Sequence, residues 1–447
     1  MTTVPREPSE LAQQIRLAIP LALQQLGFHL MGTVDAAWLG RHSESALAAA
    51  GVGNNLLFAI TAIGLGIVMG LDTVIPQAIG AGQREIARRY LSAGLRLALG
   101  LGLLGTIVVL ATPVVLSIAD VDHEVARDAR TYVYLRSLGI VPFLLSIALR
   151  SYLAALNVTR PLVLAVVIGN IANAALDRVL IFGIDALGLP AMGVAGAAVA
   201  TVTVQVLIVV VYSAAVRALD DGMALPRSSR ADLTEIVRYG GPVGGQLFAE
   251  VAIFGVATVM AARLGKVPGA AHSGALTLVS FTFSVAVGIG AATSVRVGHA
   301  IGERKLALAR QRGVYGLGVG LAVMSVFAIA LIAMPSLLAR VFTDDAVVIA
   351  AIVPLLQIAA LFQLSDGTQA IAAGALRGIG RTRATLIGNL IGHYGVGLPI
   401  SLALAFSAGL GAPGLWWGLS AGLTVTALFL VARFLASTKG ADVRTAR

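Results

Sequence analysis

Twelve apolar runs, each long enough to cross a bilayer, constrain this chain more than any other feature. They fall at roughly 17–39, 47–76, 90–118, 131–155, 161–183, 192–214, 236–262, 271–295, 312–341, 347–376, 384–406 and 413–435. A bilayer core of ~30 Å takes about 20 apolar residues per helix. Inside lipid the backbone must satisfy its own hydrogen bonds, which leaves helices and closed barrels. A barrel shows ~10-residue alternation, and these runs are longer and unbroken. The expected fold is therefore an all-α integral membrane protein with twelve transmembrane helices. Composition agrees: 57% of residues are hydrophobic, 12% are charged, and mean hydropathy is +0.89.

The polar N-terminus, MTTVPREPSELAQQIR, has no cleavable signal pattern, so the first run is expected to stay in place. With no cysteine in 447 residues, thiol chemistry, disulfides and zinc-thiolate sites are excluded. The net charge of +10 follows topology. If the N-terminus is cytoplasmic, 23 of the 32 basic residues fall on inner segments and six (Arg41, Arg127, Arg130, Arg263, Lys266, Arg340) on outer loops. That is the positive-inside pattern, with both termini in the cytoplasm and the chain in the cell (inner) membrane. It argues against nucleic acid as a partner.

The sequence also repeats itself. IPLALQQLGF at 19 aligns with GPVGGQLFAE at 241, and GLDTVIPQAIGAGQREIA at 70 with GAATSVRVGHAIGERKLA at 290. TRPLVLAVVIGN at 159 aligns with TRATLIGNLIGH at 382, and GVAG at 193 with GAPG at 411. The matches keep their order, with offsets of 218 to 223. Each repeat holds six helices, so the two bundles have parallel topology and are expected to be related by a pseudo-two-fold along the membrane normal. The expected organisation is an N-lobe at 1–216, a cytoplasmic linker at 217–235 and a C-lobe at 236–447. Two bundles facing each other suit alternating access around a central site.

Ionisable groups within spans cost at least ~2.5–3.5 kcal/mol at mid-bilayer and mark function. Four acids stand out: Asp35, Asp177, Glu250 and Asp366. In the repeat they align with Ala257, Ile400, Phe28 and Phe143. A scaffold requirement would appear in both copies; these acids appear in one each. The plain structural reading is a helix cap or an ion pair. For Asp177 it has support in adjacent Arg178, whereas no basic residue lies within ten positions of Glu250 or Asp366. Asn173 and Asp177 are four apart and share a helix face. Asp35, Asp177 and Thr201 fall at similar depth. Carboxylates with amide and hydroxyl oxygens can hold a proton or a small hard cation such as Na⁺. Two carboxylates held close do not both ionise cheaply, so such a pair shares a proton. Glu250 and Asp366 would need a wet path.

Other positions have plainer readings. His29 and His393 read as buried, hydrogen-bonded neutral imidazoles, Asp72 as a helix-end cap, and Met31, Met69, Met192 and Met260 as ordinary packing. AIGAGQ lacks the Lys-Ser/Thr of a phosphate-binding loop. No ATPase domain is present, so pumping would draw on an ion gradient.

Several stretches resemble the multidrug and toxic compound extrusion (MATE) family. GLDTVIPQAIGAGQ is similar to that family's helix 2 signature. TVDAAWLG, GNIANAALD with GAAVAT, GPVGGQLFAE and LSDGTQAIAAGALRGIGRT are similar to its helices 1, 5, 6, 7 and 10. The resemblance spans essentially the whole chain and implies a non-enzymatic secondary transporter that exports bulky, often cationic compounds in exchange for H⁺ or Na⁺. It implies amphipathic or cationic small-molecule substrates, the lipid bilayer as surroundings, no cofactor beyond the coupling ion, and a monomer. Residue by residue, Asp35, Asn173, Asp177 and Thr201 match the N-lobe cation site of DinF-like members. Pro20 matches the proline where helix 1 bends, and Glu250 and Asp366 match the C-lobe acids of NorM-like members. Phe362 stands where some sodium-coupled NorM proteins carry a tyrosine, and its missing hydroxyl weakens a C-lobe sodium site. Asp177 also departs from NorM members that have asparagine there. A lipid-linked-saccharide flippase of the same superfamily is the alternative; it would favour a strongly basic cavity, and here the intramembrane charges are mainly acidic. A membrane enzyme would want a metal cluster or nucleophile dyad, and neither is present. A channel would carry uncoupled current.

Overall fold

A computed structural model describes residues 9–118, 122–184, 188–219 and 222–439. Arg6, Arg444 and Arg447, and the linker residues Asp220 and Asp221, lie outside them. The described chain is helical nearly throughout. Eleven helices are long and apolar enough to span a membrane, and a bent pair makes the twelfth. The expected run at 131–155 is that pair: α6 (His123–Ser137) and α7 (Ile140–Ala155) meet at 44°. The break falls at Gly139, just before Pro142, which has no N–H to continue a helix.

The remaining N-terminal spans are α1 (Glu10–His42), α2 (Glu44–Val68) continuing into α3 (Leu71–Gly80), α4 (Arg84–Val108) continuing through a short 3₁₀ turn into α5 (Thr112–Ile118), α8 (Arg160–Phe182) and α9 (Val194–Leu219). In the second repeat come α10 (Arg230–Arg263), α11 (Lys266–Gly302), α12 (Leu306–Ala333), the short α13 (Pro335–Ala339) and α14 (Ala346–Gly378). Side-chain oxygens cap several N-termini: Ser43 for α2, Asp122 for α6 and Asp345 for α14. These satisfy amide donors that the helix leaves open. The eleventh span, residues 382–407, is irregular. It opens as α15 (Thr382–Asn389), widens to a π-helix at Leu390–Gly397, tightens as α16 (Leu398–Leu402) and widens again at Ala403–Ser407. Gly392 and Gly397 are buried close against Gly422 of the last span, and Pro399 donates no hydrogen bond; such bulges gather at functional sites. The last span is α17 (Gly411–Ser437). Pro20 and Pro242 sit at matching positions inside unbroken α1 and α10.

The chain forms two compact units. One comprises residues through Leu23, Pro76–Gly82 and the chain from Ala249; the other comprises Gln24–Ile75 and Gln83–Phe248. In the second unit, Gly66 of α2 and Gly70, in the turn before α3, press on Gly244 and Gly240 of α10, so close that a Cβ on Gly66 would overlap the facing backbone. In the first unit Gly288, 222 residues after Gly66, presses in the same way on Leu21 and Ala22 of α1. Small residues four apart let helices touch backbone to backbone, the characteristic association in lipid. Ion pairs fasten the same helix starts. Glu10 of α1 pairs with Arg296 of α11 and, at 2.9 Å, with Arg312 of α12. Asp232 of α10 pairs with Arg89 of α4 at 3.1 Å, beside a Tyr90–Glu235 hydrogen bond. Arg88 of α4 donates to the linker carbonyls of Met223 (3.3 Å) and Ala224 (2.9 Å).

Asp72 is not a cap. It is buried at the start of α3, where it accepts from Ser151 at 2.6 Å and from Arg150 at 3.2 Å, both buried on α7. The sequence shows only that Asp72 starts a helix; its partners lie 78 and 79 residues away. Arg150 is thus a structural cation rather than a loop charge. Removing one member of a buried pair strands the other. Arg150→Ala is expected to destabilise the protein by about 3–5 kcal/mol, and the double variant Asp72→Asn/Arg150→Met by less. Thermal unfolding in detergent checks this. Equal losses in both would show that the pair is not coupled.

Candidate functional site

The four N-terminal residues singled out by sequence come together. α1 supplies Asp35, α8 supplies Asn173 and Asp177 one turn apart, and α9 supplies Thr201. All four are buried, and Asn173 and Asp177 are wholly inaccessible. Asn173 Nδ2 donates to Asp35 Oδ1 at 2.8 Å and to Asp177 Oδ2 at 2.6 Å. Thr201 Oγ1 lies 2.8 Å from Asp35 Oδ2 and 2.9 Å from the Ala197 carbonyl, and its single hydrogen serves one of them at a time. The two carboxyl groups are joined through Asn173, their common donor. Arg178 does not neutralise them. It is exposed, with its guanidinium 5.0 Å over the Phe182 ring. Among the described residues no ion pair joins Asp35 or Asp177 to a base. Two buried acids thus share one amide donor, and a proton held between them lowers their joint charge from −2 to −1.

The second pair lies in the unit built mainly from the C-terminal repeat. Glu250 Oε1 accepts from Gln369 Nε2 of α14 at 2.5 Å and from Asn389 Nδ2 of α15 at 2.6 Å. Asp366 is buried on α14, one turn before Gln369, which donates to Glu250. The sequence reading missed Gln369 and Asn389. One signal was available: Gln369 lies three residues after Asp366, on the same helix face. Phe362 is buried against Phe254 and Trp416, with centroids at 6.2 and 5.3 Å. It supplies packing at that place and no oxygen. No group of three or more His, Cys, Asp or Glu side chains that could hold a metal ion occurs among the described residues.

His29 is half-buried, and His393 is fully buried in the π-helix. The expectation that His393 is hydrogen-bonded fails, since neither ring nitrogen has a partner among the described residues. Of the methionines, Met31, Met69 and Met260 are buried, while Met192 is exposed.

A model of the MatE family matches the chain twice, at residues 20–179 and 242–403. The two matches start 222 residues apart (242 less 20), the spacing of the internal repeat. The chain is 36% identical over 442 residues to a probable multidrug resistance protein NorM of Bradyrhizobium diazoefficiens, covering 95% of this chain and 93% of that one. A probable NorM of Deinococcus radiodurans is also 36% identical, over 98% of this chain and 99% of its own. The multidrug resistance protein NorM of Burkholderia vietnamiensis is 33% identical over 94% and 92%. Among solved structures, the eukaryotic MATE transporter AtDTX14 overlays with a TM-score of 0.88 at 20% identity, covering 95% of each chain. An outward-facing multidrug resistance MATE family transporter gives 0.87 at 21%, covering 97% of each. By its repeat, its relatives and its fold, the chain belongs to the multidrug and toxic compound extrusion (MatE) family and is a multi-pass membrane transporter, not an enzyme.

Proposed function

We propose that the protein is a secondary active multidrug exporter. It moves bulky organic, often cationic, compounds out of the cell against an inward flow of protons, by alternating access. The carrying observation is the buried Asp35–Asn173–Asp177–Thr201 cluster, two acids without a basic partner on three membrane-spanning helices. The names of the full-length relatives support the multidrug reading. Intramembrane acids support a cationic cargo, because a negative cavity concentrates cations. The basic asymmetry of the loops supports an inner-membrane location with both termini in the cytoplasm.

The geometry favours H⁺ over Na⁺. A hard cation wants oxygens turned toward it. Here Asn173 turns its nitrogen toward both acids, and Thr201 stands ready to give them its hydrogen. Donors around two carboxylates suit a shared proton. A proton taken up from the outside removes one negative charge from the pair and weakens its hold on a cationic cargo. Its loss to the cytoplasm restores the charge for the next cargo. Glu250 and Asp366 supply a second acidic pair.

Reconstitution in proteoliposomes, with ΔpH and ΔNa⁺ imposed separately and ethidium as cargo, tests this reading. ΔpH alone is expected to drive export, and ΔNa⁺ alone to drive none; the reverse would move the coupling to sodium. Asp35→Asn and Asp177→Asn should each lower ΔpH-driven export at least tenfold, and the double variant should be little worse, because either change already breaks the unit. Normal export and pH dependence in the single variants would remove the cluster from coupling.

A separate expectation concerns the other pair. Glu250→Gln and Asp366→Asn should each lower coupled export while leaving thermal stability unchanged or slightly raised, since a buried acid becomes a neutral amide. Wild-type efflux from both at equal expression would take this pair out of the mechanism.

A further inference from the structure

α10 carries Glu250, Phe254 and Thr258 at intervals of four, so the three share one helix face. Their neighbours change in register along it. Glu250 holds Gln369 and Asn389. Phe254 meets the rings of Phe362 and His393 at 6.2 and 6.1 Å. Thr258 Oγ1 lies 3.2 Å from His272 Nε2. The facing elements keep the same step. His393 follows Asn389 by four residues, and Asp366 lies between Phe362 and Gln369 on α14. One seam therefore runs from Glu250 past Asp366 and His393 to His272, toward the Lys266 end of α11, the end that the loop charges assign to the outside.

The lower end of this seam is hydrogen-bonded, but above it several buried polar atoms have no partner among the described residues. His393 is 1% exposed, and neither ring nitrogen has a partner. Gln363, one turn from Asp366 and also 1% exposed, has none on either amide atom. His272 Nδ1 and Trp416 Nε1 are likewise unpaired among the described residues, and Trp416 bridges the two levels, 5.3 Å from Phe362 and 5.9 Å from His272. Buried polar atoms are ordinarily paired, with protein or with water. Leucine or phenylalanine would fill these places without any polar atom to satisfy. The pattern of donors and acceptors fits small hydrogen-bonding guests in single file.

We propose that His393 passes protons between the outer end of this unit and the Glu250–Asp366 acids. The proposal rests on the reading that those acids take part in coupling. A neutral imidazole has one N–H and one lone pair. The bare nitrogen takes a proton from a water on its outer side, and that water is reprotonated from the outer solution. The other nitrogen gives its own proton to a water on the acid side, and from there to a carboxylate. One N–H bond forms as the other breaks, the ring keeps no net charge, and a ring flip restores the first tautomer. The titratable groups that face this route are Glu250 from α10, Asp366 from α14 and His272 from α11.

The test uses the full chain in proteoliposomes with ethidium, comparing ΔpH-driven uptake with ethidium counterflow at equal pH. His393→Leu and His393→Gln are both expected to lower ΔpH-driven uptake at least tenfold and to leave counterflow within twofold of wild type, because neither side chain changes tautomer to hand on a proton. His393→Leu should unfold at or above the wild-type temperature, since it removes two unpaired buried atoms. Uptake within twofold of wild type in either variant overturns the proposal, as does an equal loss of counterflow, which marks a structural role. If His393→Leu does not reconstitute, His393→Gln decides alone by the same thresholds. Glu250→Gln and Asp366→Asn run alongside. If they lose coupling while the His393 variants keep it, the relay fails and the acid reading stands. If they stay coupled, the acid reading fails, and the relay to those acids fails with it.

Discussion

Helices surrounded by lipid gain little from hiding leucine against leucine, because the acyl chains are as apolar as the side chain. What holds this structure is contact close enough for backbones to touch, and glycine supplies it. Gly66 against Gly244 and Gly288 against Ala22 are one crossing used twice, once in each compact unit. Gly374 against Gly290 does the same for α14 and α11. Large apolar side chains are left on the outside, as with Ile107, Ile171, Val326 and Leu428. That distribution is the reverse of a soluble protein's and fits a lipid surround.

Such tight packing sets the terms for the acids. α14 turns Asp366 and Gln369 inward on a helix whose other buried positions are mostly Ala, Gly, Leu and Ile. A carboxylate is tolerable there because amides are placed around its neighbour Glu250 and because a second unit elsewhere repeats the idea with Asp35, Asn173 and Asp177. The two sites differ in construction. The N-terminal cluster binds both carboxylates through one amide, whereas in the C-terminal cluster two amides serve Glu250. Because neither set repeats at the equivalent positions, a duplicated scaffold presents two chemically distinct acid sites.

Much of this was legible in the sequence because it is periodic or costly. Runs of spanning length gave the helices, ordered matches gave the duplication, and an acid in an apolar run is conspicuous whatever surrounds it. The helix-face spacing of Asn173 and Asp177 anticipated their contact. What the sequence could not show depends on distant pairing. Asp72 looks like any helix-start acid until Arg150 and Ser151 are folded against it. Arg178 sits next to Asp177 in the chain, but adjacent helical residues point in different directions, and it stacks on Phe182 one turn away instead. Asn389 and His393 look unremarkable in an apolar span until a widened helix turns them toward Glu250 and Phe254.

The Glu10 ion pairs have a temporal consequence. Glu10 and Arg296 are 286 residues apart, and Arg312 is further still. At ~5–20 residues per second of synthesis, α1 enters the membrane roughly 15 to 60 seconds before its partners on α11 and α12 exist. Throughout that interval the start of α1, with its acid and its small-residue face, has no native place to dock. Seating of the start of α1 therefore waits for α11 and α12, and the first helix made is among the last to be seated.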